Sequence, residues 1–137
     1  MKYFTISEMV RSNKAKSLKI DNNPPPFVVD NLVLLIDECM DKIREMWHAP
    51  IIVSSGYRCP ELNDVVDGAK NSNHLKGYSC DFKAKNIEDN GKLFKMIVGS
   101  NIPFTKIIWE YGNEEYPSWI HIDYIKNKPT RKVVYIR

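Results

Sequence analysis

The sequence predicts an α+β domain, one unit over residues 1–137, with helices packed against a central mixed, mostly antiparallel sheet. Three observations carry that reading. Helical and strand patterns alternate early in the chain, strand patterns cluster late, and the length is enough for a core without disulfide or metal staples. With 43% hydrophobic and 27% charged residues, six glycines and eight prolines, the composition matches a globular domain and excludes disordered, collagen-like and small disulfide-scaffold classes.

The elements follow in order. Ser7 is placed to cap a short helix carrying Met9 and Val10, and Pro24 to Pro26 reads as a stiff, non-helical connection. From Val28 to Trp47, apolar residues recur at three- and four-residue steps with Asp37, Glu38, Asp41, Lys42 and Glu45 mostly between them, which predicts the main packing helix. His48, Ala49 and Pro50 end it. Ile51 to Val53, closed by Ser54, Ser55 and Gly56, reads as a short buried strand, and Glu61 to Val66 as one or two helical turns. Asp67 to Lys76 is a polar loop, of the kind that carries function in compact domains. Strands are expected at Ser79–Ala84, Lys106–Tyr111, Pro117–Ile125 and Lys132–Ile136, and a helix at Asp89–Ser100.

Several function classes are set aside. Twenty Lys and Arg against 17 Asp and Glu give +3 with the signs interspersed, so no nucleic-acid partner is expected. Cys39, Cys59 and Cys80 are odd in number and form no C-x-x-C pair, which fits reduced thiols. Val28 to Ile36 is broken by Asp30 and Asn31, so no membrane span is expected, and Met1 to Arg11, with Glu8 in its apolar pattern, does not read as a signal peptide. Synthesis in the cytoplasm is the expectation, with a monomer as the default state.

The chemistry lies with the histidines. His74 sits in the polar loop and Asp81 seven positions later on a strand whose Cys80, Phe82 and Ala84 take the core face, turning Asp81 to the other. In Trp119-Ile120-His121-Ile122-Asp123 the isoleucines point one way and His121 the other. Two histidines and a carboxylate form a set that binds Zn²⁺ with a fourth position open to water. A histidine between isoleucines also reads as a packed residue, and spacing alone leaves both readings open.

Ser54-Ser55-Gly56-Tyr57-Arg58-Cys59-Pro60-Glu61-Leu62-Asn63, Gly68-Ala69, Ser72-Asn73-His74 through Asp81-Phe82, and Trp119-Ile120-His121 together resemble the zinc D-Ala-D-Ala carboxypeptidase family, peptidoglycan metallopeptidases that include phage endolysins. The opening Tyr3-Phe4-Thr5-Ile6-Ser7-Glu8 and Ile20-Asp21-Asn22 are similar to its small phage- and prophage-associated branch. The resemblance implies a hedgehog/D-Ala-D-Ala-peptidase-like fold, with His74, Asp81 and His121 as ligands of Zn²⁺ and a peptidoglycan stem or cross-link peptide as substrate. It implies that Arg58 orients substrate carbonyls or carboxylates, and that Asn63 and Ser72 line the cleft. Many relatives carry an acid three positions before the last histidine, where this sequence has Ser118. The base must then come from elsewhere: Glu110 is the first choice and Asp123 the second.

The activity implied is zinc-dependent hydrolysis of D,D- or L,D-type peptide bonds, as a carboxypeptidase or an endopeptidase, reaching the cell wall after lysis or by non-classical export. The alternatives are an inactive zinc-binding module and a structural or wall-binding phage component.

Overall fold

A computed structural model describes residues 1–137. Thr5, rather than Ser7, caps the first helix, α1 (Ile6–Val10), because its hydroxyl accepts the Glu8 amide hydrogen two positions before Ser7 could do so for a later one. Ser12 caps α2 (Asn13–Ser17) in the same way. Pro26 is the first residue of α3 (Pro26–Leu35), not the end of a non-helical link; the first-turn amides lack intrahelical acceptors, so a residue without an N–H fits there.

α3 runs through a π turn at Ile36–Met40 into α4 (Asp41–Trp47), so the long helix expected from periodicity is one rod with a local bulge. The bulge keeps Ile36, Cys39, Met40 and Ile43 all buried. His48 then stops the rod in the left-handed conformation, with φ 58°.

Five strands follow: β1 (Ile51–Ser55), β2 (Ser79–Ala84), β3 (Lys106–Glu110), β4 (Trp119–Asp123) and β5 (Lys132–Ile136). Their order is β1-β2-β4-β3-β5, antiparallel throughout except that β5 lies parallel to β3. This is the α+β class with a mixed sheet. β1 is an edge strand rather than a buried one, with β2 as its only strand neighbour; Ile51 is covered, but Ile52, on the opposite face with its partner Lys83, is 43% exposed. Short helical segments join the strands, α5 (Pro60–Val65) after β1 and α6 (Asn90–Val98) after β2.

Period-2 alternation divides the sheet. Cys80, Phe82, Ile107, Trp109, Ile120 and Ile122 join one continuous core with Leu93, Phe94 and Ile97 of α6 and the buried face of α3 and α4. Phe94 meets Trp109 edge-on at 5.2 Å between ring centres. On the other face, Ser55, Asp81 and His121 stand in register across three adjacent strands. No helix is long and apolar enough to cross a membrane.

The polar loop is tied down where it matters. Residues Asn73–Lys76 form a 3₁₀ turn closed by Gly77 at φ +76°, and the Asn31 side chain of α3 donates to the Lys76 carbonyl at 2.8 Å. A Cβ on Gly77 would stand 2.8 Å from the Val28 carbonyl oxygen and 3.0 Å from Val28 Cγ1. Gly77→Ala therefore meets both a left-handed backbone and a backbone clash, and should destabilise the fold by about 2 kcal/mol. Equilibrium urea unfolding followed by circular dichroism measures this, and an unchanged midpoint would show that α3 does not hold the turn.

Candidate metal centre

His74 belongs to the 3₁₀ turn, whose N-terminal end is capped by the Ser72 hydroxyl accepting the His74 amide hydrogen at 3.2 Å. Its ring Nδ1 lies 2.7 Å from the Gly56 carbonyl oxygen. A carbonyl only accepts, so Nδ1 donates its hydrogen there, and Nε2 faces Asp81 Oδ2 at 3.4 Å. His121, on β4, places Nδ1 2.9 Å from Asp81 Oδ1 and directs Nε2 to Asp123 Oδ1 at 2.6 Å. Asp81 thus stands between two imidazoles whose rings are 5.2 Å apart and nearly perpendicular.

The donor set fits a metal. One ligand atom from each of His74, Asp81 and His121 lies within 4.8 Å of the others, and the group can hold an ion. Each imidazole has its outward nitrogen engaged by an oxygen, the arrangement that orients a histidine toward a metal. Burial alone would raise the Asp81 pKa, but hydrogen bonds from His121 and His74 hold its carboxyl well below the usual range. Burial would likewise lower His121, yet Asp123 and Asp81 raise it to about 9. Surroundings that stabilise positive charge on this ring favour a cation beside it for the same reason.

The two carboxylates weighed as base occupy different places. Glu110, at the end of β3, puts Oε1 3.9 Å from His121 Nδ1, the nitrogen that faces Asp81. Burial, and then the charge of Asp81, raise its pKa, while His121, His74 and Arg58 oppose the shift. Asp123 stands behind His121. It is 1% exposed, accepts from His121 Nε2 and the Ser79 hydroxyl, and pairs with Lys106 Nζ at 3.5 Å. Its carboxylate thus engages the ring nitrogen opposite the one that faces Asp81.

Arg58 lies in the turn after β1, and its amide donates to the His74 carbonyl at 3.1 Å. Nε donates to Asn63 Oδ1 at 3.1 Å, while Nη1 and Nη2 reach the hydroxyls of Ser55 and Ser72, each at 3.4 Å. Burial lowers the guanidinium pKa, and the charges of Asp81 and Glu110 counter that. Asn63 does not line a cleft as expected: it is 1% exposed, with its amide nitrogen donating to the Ala69 carbonyl at 2.9 Å. Asn63 and Ser72 hold the guanidinium instead.

Sequence reasoning passed over Ser55, Ser79, Lys106 and the Gly56 carbonyl. Ser79 and Asp123 each stand two residues from a proposed ligand on the same strand face, so period-2 alternation contained that signal. The Gly56 contact is made by backbone and leaves no mark in the sequence.

The fold and this cluster define a class: an α+β domain with a histidine, aspartate and histidine centre on the open face of its sheet. The family model described as Peptidase M15 matches residues 2–123, and the chain belongs to that family of metal-dependent peptidases. No curated protein matches it.

If Asp123 supports His121, Asp123→Ala should weaken metal binding by roughly 10- to 100-fold, and Asp123→Asn, which keeps an acceptor, by less. Isothermal titration with the metal compares the three proteins. Equal affinities would remove Asp123 from the centre.

Proposed function

We propose that this chain is a zinc peptidase that hydrolyses stem or cross-link peptides of peptidoglycan, with His74, Asp81 and His121 as the ligands. The reading is carried by the convergence of that donor set with Glu110 and Arg58 on one sheet face of a member of peptidase M15. Two imidazoles with one carboxylate favour zinc over a harder cation such as calcium or magnesium. When bound, the ion would acidify a water and polarise the scissile carbonyl.

Glu110 is the base in this reading: it takes a proton from the attacking water and returns it to the departing amine. Its raised pKa suits a group that must hold a proton between those two steps. The strand ladder supports this choice. Ser118, which stands where many relatives carry their acid, donates its amide hydrogen to the Glu110 carbonyl at 3.0 Å, so the backbones of the two positions adjoin where β3 ends and β4 begins. Asp123, the second choice, serves to position His121.

Arg58 presents its guanidinium to a carbonyl or carboxylate of the substrate, prealigned by Ser55, Asn63 and Ser72. An endopeptidase is favoured over a carboxypeptidase because Arg58 lines a groove that continues along β1, so a substrate chain need not end at the guanidinium. Resemblance to the phage-associated branch supports a lytic role.

Elemental analysis should find one zinc per chain, lost in His74→Ala and His121→Ala. Stoichiometric zinc in both variants would overturn the ligand assignment. Glu110→Gln should retain zinc and lose at least roughly a hundredfold in kcat, whereas Asp123→Asn at saturating zinc should lose less; the reverse order would move the base to Asp123. Digests of intact peptidoglycan, pentapeptide muropeptides and D-Ala-D-Ala, read by mass, separate the bond types. Release of D-alanine alone would establish a carboxypeptidase, and zinc binding without any cleavage would leave a binding module.

A further inference from the structure

A groove of about 530 Å³ runs along the outer edge of β1, between the link joining α1 to α2 and the face of α5. Because β1 pairs only with β2, alternate peptide N–H and C=O groups along Ile52 to Ser55 point away from the sheet. Beyond Ser55 the edge is closed. Tyr57 donates its amide hydrogen to the Met9 carbonyl at 2.8 Å, and a Cβ on Gly56 would stand 2.2 Å from that oxygen.

The two walls differ in chemistry. Leu62 and Val66 make one apolar, and the exposed cations Arg11 and Lys14 stand on the other. No Asp or Glu lines the groove, and neither Arg11 nor Lys14 takes part in an ion pair. Arg58 belongs both to this groove and to the metal centre, since its Nη1 bonds Ser55, the register partner of Asp81. The groove and the centre are therefore joined through one guanidinium.

We propose that this groove is a substrate subsite, which takes an extended, carboxylate-bearing peptide as an added strand on β1, pairs its carboxylates with Arg11 and Lys14, and leads it past Arg58 to the metal centre. The inference rests on the peptidase reading above. Its occupant follows from two complementarities. A free strand edge offers alternating donors and acceptors that another peptide backbone matches, and unpaired cations beside it match carboxylates. A phosphodiester polymer would satisfy the cations but leave the strand edge and the Leu62 and Val66 wall unused.

The test uses a synthetic peptidoglycan stem pentapeptide with its side-chain carboxylate free, and the same peptide amidated there. Amide shifts are followed in the zinc-loaded Glu110→Gln chain, which keeps the peptide intact, and affinity is measured by calorimetry with and without Arg11→Ala and Lys14→Ala together. Both substituted residues are exposed, and matching zinc content and circular dichroism confirm the fold. Shifts should centre on residues 11–14 and 52–55. The double variant should bind the free-carboxylate peptide roughly tenfold more weakly and the amidated one almost unchanged. In the otherwise wild-type enzyme the same pair should raise KM with kcat preserved.

Equal affinity in the double variant, shifts that bypass the β1 edge, no peptide binding, or tighter binding of a glycerol-phosphate polymer would each overturn the subsite. The two readings fail separately. Peptide bound in the groove without hydrolysis by the wild-type chain would sink the peptidase and leave the subsite. Hydrolysis with an unchanged KM in the double variant would do the opposite.

Discussion

Asp81 faces both imidazoles of the metal centre, and it can do so because β2 and β4 are locked in one register. Phe82 pairs with Ile120 and Cys80 with Ile122, all four buried on the core face, which leaves Asp81 opposite His121 on the other. A slip by one residue would send the aspartate and the histidine into the core and the isoleucines into the site, so hydrophobic burial enforces the geometry of the candidate centre. The electrostatics then close on the same residue. Burial works against an ionised carboxylate, and the two imidazoles oppose that cost, so losing either partner would leave a charge poorly compensated in a largely buried place.

The third donor is not on a strand, and its placement needs more support. His74 sits on a one-turn helix held from three sides: Asn31 of α3 binds the Lys76 carbonyl, the Gly56 carbonyl accepts from the His74 ring, and the Arg58 amide donates to the His74 backbone. The glycine at position 77 lets this turn lie against α3 with no side chain between them. Long-range contacts therefore give a loop residue the rigidity that strands give to Asp81 and His121, as a site that must hold ligands within fractions of an ångström requires.

Carboxylates take distinct roles around this centre according to what surrounds each. Asp81 lies between the two histidines, Asp123 is sealed behind one of them by Ser79 and Lys106, and Glu110 stands in front with its pKa raised. Hydrogen-bonded pairing favours the ionised form of the first two, and burial near a like charge favours the protonated form of the third.

The class of fold, every strand and the faces of β2 and β4 were legible in the sequence, because period-2 and period-3.6 patterns are local consequences of burying apolar side chains. The candidate centre was legible as well: alternation put Asp81 and His121 on polar faces, and the resemblance joined them to His74. Local pattern was weakest where backbone hydrogen bonding decides. It placed the first cap at Ser7 rather than Thr5, ended the proline run before the helix that Pro26 begins, and treated β1 as buried although only its pairing partners could show that it lies at an edge. Tertiary structure alone decided that Asn63 lies beneath Arg58, that Asp123 stands behind His121 while Glu110 stands before it, and that a groove lies open beside β1. Each depends on which side of a shared neighbour a side chain falls, and that is set by contacts between residues far apart in the chain.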